Sequence, residues 1–77
     1  MQWHTPVVVN IGSARHVVRG TQEAAWLLAD KWPTLTGNSF VRALKACAAA
    51  LEGRRTQTYA RLAFIAAAHH ASLVVER

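Results

Sequence analysis

Few side chains in this 77-residue chain could carry chemistry, and Cys47, the one cysteine, is the first to weigh. A cysteine nucleophile needs a partly exposed thiolate, a nearby base and a group that orients the base. Here the neighbours are Ala46, Ala48, Ala49 and Ala50, with no histidine within a helical turn. Free cysteine is among the most buried residue types, so a buried structural thiol is expected. His69 and His70 are adjacent and diverge by about 100° on a helix, so they cannot grip one ion as an i, i+4 pair does. His4 and His16 could join them only through the fold, and no acid or cysteine stands at metal-site spacing. Near a helix C-terminus, histidines are explained by the dipole and the last carbonyls. The acids Glu23, Asp30, Glu52 and Glu76 are scattered rather than paired for acid-base work. Gly12, Gly20, Gly37 and Gly53 are isolated at turns and make no phosphate-cradling loop. The expectation is a non-enzymatic chain with no metal and no cofactor.

Charge offers a different kind of chemistry. Nine Lys and Arg against four acids give a net +5, a field able to attract nucleic acid or anionic surfaces. Arg42, Lys45, Arg54, Arg55 and Arg61 fall in one stretch interrupted only by Glu52, so they are the candidate nucleic-acid contacts. A solvated rim that keeps the domain soluble is the plainer explanation. The two helices around Gly53-Arg54-Arg55 invite comparison with a helix-turn-helix, but the second turns apolar after Gln57 and Arg61, where a recognition helix needs polar side chains. Phosphate contact without base readout would be weak and steeply salt-dependent. Trp3, Trp26 and Trp32 could stack on bases, but aromatic residues in so small a domain are expected in the core.

The elements that position these residues follow from local pattern. Val7 to Ile11 is a β-branched run, and Arg15 to Arg19 contains Val17 and Val18 beyond the turn residues Gly12-Ser13-Ala14, which predicts a hairpin. Val7, Val9 and Ile11 should share the core face, whereas the second strand could turn either Val17 or His16 with Val18 inward. Thr21 is placed to cap a helix through Lys31, with Glu23 in its first turn, and Pro33 ends it at Trp32. Trp32 and Leu35 should anchor the loop that follows. A second helix starts near Asn38 or Ser39, and Val41, Leu44, Ala48 and Leu51 recur at threes and fours as its expected core stripe, with Gly53 closing it in a left-handed turn. Thr56 or Thr58 caps a third helix to about Ala71, and Leu73 to Glu76 reads as a short strand. The third helix is apolar almost all round from Leu62 to Ala68, which predicts a central position or a spare face for a subunit contact.

Together these give one α+β domain over residues 1–77, a three-stranded sheet packed against three helices in the order β-β-α-α-α-β. The last strand should pair beside a central first strand, parallel or antiparallel. A chain this short buries only roughly 60% of its unfolded surface, and much of its 52% apolar content is alanine. The core should supply only about 3–5 kcal/mol, which self-association could supplement. One cysteine rules out an intrachain disulfide and fits a reducing cytoplasm. Met1 to Pro6 lacks a secretory signal's basic flank, and no apolar run approaches the ~20 residues of a membrane span.

Trp3 with Pro6-Val7, Glu23-Ala24-Ala25 and Leu28, Trp32-Pro33, Gly37, Ala43, Cys47, Ala60-Arg61, Ala63-Phe64-Ile65, Ala67-Ala68 and Ala71 form a combined pattern. It resembles a family of small proteins common in rhizobia and related alpha-proteobacteria, domain-of-unknown-function family 982. The resemblance implies a free-standing bacterial protein and brings no inherited site residue. Where that pattern has an acid near the end of the third helix, this chain has His69-His70. The functional expectation is a small cytoplasmic interaction or structural protein, binding another protein or itself as a homodimer. The alternative is a non-specific nucleic-acid-binding accessory protein that uses the basic residues.

Overall fold

The structure, a computed structural model, describes residues 2–34 and 36–76; Leu35, expected as a packing anchor, lies outside the described residues. The elements are β1 (Gln2–Ile11), β2 (Ala14–Gly20), α1 (Thr21–Asp30), α2 (Asn38–Leu51), α3 (Gln57–His70) and β3 (Val74–Glu76). β1 and β2 form an antiparallel hairpin across Gly12-Ser13, where Gly12 takes φ +62°. A glycine at the first of two turn residues matches the twist of the flanking strands. The sheet order is β2-β1-β3, so β1 is central as expected, and β3 pairs with it antiparallel.

Register decides what each strand turns inward. Val7 lies opposite Val18, and Val9 lies opposite both His16 and Val75. Val7, Val9 and Val18 are fully buried beneath the helices, and His16 and Ile11 are half-buried. The second strand's ambiguity is thereby settled in favour of His16 and Val18. The opposite face carries Val8 and Val17, half-buried, and Val74, 65% exposed.

α3 holds the central place among the helices, touching β1, β3, α1 and α2. Phe64 is fully buried on it, with Trp32 at 5.4 Å and Trp3 at 6.0 Å between ring centroids. These tilted rings are the largest apolar bodies in the core, with Phe64 between the two tryptophans. Both later helices stop by the same device. Gly53 (φ +82°) closes α2 with Arg54 N–H donating to the Ala49 carbonyl at 2.8 Å, and Ser72 (φ +59°) closes α3 with Leu73 N–H donating to the Ala68 carbonyl at 3.0 Å.

Three expectations are corrected. The core stripe of α2 is not Val41, Leu44, Ala48 and Leu51: Val41 and Leu51 are exposed, at 43% and 53%. The buried face is Phe40, Ala43, Ala46, Cys47, Ala49 and Ala50. α2 packs on both α1 and α3, and close helix approach favours small side chains over long ones, so the alanine face goes inside. Trp26 is not core but 59% exposed, because Ala24, Leu27 and Leu28 take the inward face of α1. Finally, neither Thr21 nor Asn38 or Ser39 is an N-cap. Gly20 and Gly37 occupy those positions without a side-chain cap, and the Thr21 hydroxyl is used elsewhere. Thr56 caps α3, accepting from Tyr59 N–H at 3.0 Å.

Candidate functional site

The five candidate cations sit on separate elements. Arg42 and Lys45 are exposed one turn apart on α2, beside Asn38 and Val41 around a hollow of ≈ 250 Å³. Arg54 and Arg55 lie past the end of that helix at Leu51, about 14 Å along its axis from Arg42 at ~1.5 Å per residue, where their N–H groups turn back to the Ala49 carbonyl. Arg54 is held by Glu52 at 2.5 Å, and the Arg55 guanidinium rests 5.0 Å above the Tyr59 ring. Arg61 points the other way, to β1, where its Nε donates to the Thr5 carbonyl at 3.1 Å. A run that looks continuous in sequence is therefore divided over three places, and only Arg42 and Lys45 are close neighbours without a protein partner among the described residues.

Cys47 is fully buried, and burial in apolar surroundings pushes its thiol up to about 11. A thiol so buried stays protonated at neutral pH and packs as a small apolar group. His4, His69 and His70 are exposed and His16 is half-buried. Among the described residues, no three of the His, Cys, Asp and Glu side chains group as a metal site would require. No helix among the described residues is long and apolar enough to cross a membrane.

What sequence reasoning missed is a polar chain through the core. The Trp3 indole N–H donates to the Thr21 hydroxyl at 3.0 Å, Thr21 donates in turn to Gln57 Oε1, and the Gln57 amide donates to the Ala50 carbonyl at 3.3 Å. It ties β1, α1, α3 and α2 together beside an open cavity of ≈ 450 Å³ lined by Gln2, Glu23, Leu51 and Gln57 among others. Thr21 and Gln57 gave only capping and helix-start signals, and no local pattern announces a bond 36 residues away. A second missed contact is Glu23, whose carboxylate accepts the Arg19 backbone N–H at 2.6 Å.

Most residues of the family-like pattern turn out to be core. Trp3, Val7, Ala24, Leu28, Trp32, Ala43, Cys47, Ala60, Phe64, Ile65, Ala67 and Ala68 are all buried. Its two charged members, Glu23 and Arg61, each bond a strand backbone. The pattern thus encodes packing. A family model described as "Protein of unknown function (DUF982)" matches residues 5–75. The chain belongs to that family. Searches of curated proteins and of solved structures found no match. Membership in the DUF982 family brings no substrate or partner, so the functional reading rests on this chain's own surface.

Proposed function

We propose that the chain is a small non-enzymatic interaction or structural protein of a reducing cytoplasm that acts by binding another protein or a second copy of itself. The observation that carries this reading is where the large apolar side chains went. Val41, Leu51, Tyr59 and Leu62 stand 43–54% exposed on α2 and α3, and Trp26 59% exposed on α1, while alanines fill the helix contacts beneath. Aromatic side chains with apolar neighbours are what interface centres are made of. The groups that could react are, by contrast, buried, as Cys47 is, or spread over different elements.

Light scattering after size exclusion, from micromolar to millimolar protein, tests self-association. A concentration-dependent dimer that Leu62→Glu or Leu51→Glu returns to monomer is expected. Affinity capture with and without nuclease tests the other partner: proteins that stay bound after nuclease support the reading. A strict monomer that captures nothing, or whose captured proteins all vanish with nuclease, refutes it.

The +5 charge and the exposed Arg42–Lys45 pair support a second reading, a nucleic-acid-binding accessory protein. Few phosphates could be neutralised at once by cations so divided, which implies weak, salt-sensitive binding. Anisotropy titration of a labelled DNA duplex at low and moderate salt decides it, and no salt-sensitive binding at micromolar protein removes this alternative.

A further inference from the structure

We propose that the outer edge of β2, with the groove between β2 and α1, takes an extended segment of a partner protein as a fourth, antiparallel strand. The segment carries acids four residues apart and apolar or small residues between them. This rests on the interaction reading above and gives it a surface and a partner class.

The free edge comes from the hairpin. In antiparallel pairing, residues alternate between exchanging both backbone bonds with the neighbouring strand and turning those groups away from it. Across the two-residue turn, Ile11 and Ala14 are a bonded pair, so Val9 with His16 and Val7 with Val18 are bonded as well. Arg15, Val17 and Arg19 then direct their N–H and C=O groups outward, as β2 is an edge of the sheet. Arg19 confirms the phase, since its N–H is turned away from β1 and taken by Glu23. Glu23 thereby closes the edge at Arg19, and the full backbone exchange left open is at Arg15 and Val17.

Beside this edge lies a groove of ≈ 270 Å³ between β2 and α1, lined by Val18, Leu27 and the half-exposed Trp26. Alternate side chains of an added strand would enter it from the His16–Val18 side. The remaining side chains would lie on the open face of the sheet, in line with Arg15, Val17 and Arg19.

Charge selects the occupant. A second copy pairing β2 with β2 about Val17 would set Arg15 opposite Arg19 twice, and like charges directly opposite destabilise a sheet. A strand with acids two residues either side of its centre meets the same arginines favourably. Arg15 already touches Glu76 at 3.7 Å through Nε alone, with both side chains more than half exposed, so its other guanidinium donors stay available. No side-chain partner holds the Arg19 guanidinium among the described residues.

The test is an amide-shift titration of the full-length, 15N-labelled protein at low salt with the capped peptide Thr-Glu-Val-Thr-Val-Glu-Thr. A control peptide carries Lys in place of both Glu. Shifts should concentrate at the Arg15 and Val17 amides and the Trp26 indole, and the Lys peptide should bind about tenfold more weakly, as two attractive cross-strand pairs become repulsive. Val17→Pro should abolish binding, because it removes an outward N–H without breaking the hairpin ladder. The surface double variant Arg15→Glu with Arg19→Glu, which disturbs no buried group, should reverse the preference in favour of the Lys peptide. Absence of shifts at millimolar peptide, equal binding of both peptides, or the same amides shifting on simple dilution of the protein, which would assign the edge to a second copy, each overturns the proposal. A silent edge in a protein that still captures partners by the assays above rejects strand addition alone and leaves the interaction reading standing.

Discussion

Replacing Thr21 by valine keeps the shape of a fully buried side chain and deletes only its hydroxyl. Two hydrogen bonds go with it, and their costs differ. The Trp3 indole N–H is left in a residue only 7% exposed with no other acceptor bonded to it. A buried donor stripped of its partner costs about 1–3 kcal/mol. Gln57 is half-buried and borders the open cavity, so water replaces the bond it loses at small net cost. Thr21→Val should therefore destabilise by about 2 kcal/mol, which for a domain of this size lowers Tm by roughly 8–16 °C. Urea unfolding followed by far-ultraviolet circular dichroism reads the stability, and the midpoint should fall without a change of slope. The cycle with Trp3→Phe isolates the bond: both singles lose stability, and the double variant should recover about 1 kcal/mol relative to their sum. Additivity within about 0.3 kcal/mol, or a Thr21→Val cost below about 0.5 kcal/mol, refutes the role given to this polar chain.

Cys47 makes stability depend on alkaline pH. Its thiol is raised from 9.0 to about 11 in the folded protein, so the unfolded chain loses its proton first. The contribution is complete below pH 9 and is lost as pH rises towards 11, by roughly 2–3 kcal/mol; unfolding titrations from pH 8 to 11 should show this fall in wild type, and Cys47→Ala should lack that component of it. Ser72 holds a left-handed conformation at the end of α3, so Ser72→Gly should raise stability by about 0.5–1 kcal/mol, and an unchanged thermal midpoint would contradict this. The tryptophans should separate sharply. Trp32→Ala should cost about 3–5 kcal/mol and unfold much of the population, whereas Trp26→Ala should stay within about 1 kcal/mol and remove most acrylamide-quenchable fluorescence.

The hairpin, the three helices and the final strand were legible because each is written locally. β-branched runs flank Gly12-Ser13, Pro33 stops α1, Gly53 stops α2 and Thr56 starts α3. The central place of β1 was expected from the return of the last strand after α3, and the burial of Cys47 from the alanines around it. Which face of α2 goes inside was not legible, because hydrophobicity alone favoured Val41 and Leu51 over alanine. That choice depends on how closely α1 and α3 approach, a property of three elements at once. The same limit explains Trp26, placed outside because Leu27 and Leu28 claim the inward arc of α1, and the cations, contiguous in the chain but carried apart by a helix and its turn. The order and type of the elements thus belong to short-range residue patterns. The faces they present, the Trp3–Thr21–Gln57 chain and the open edge of β2 belong to packing between residues far apart in sequence, where burial is shared among elements and no single segment records the result.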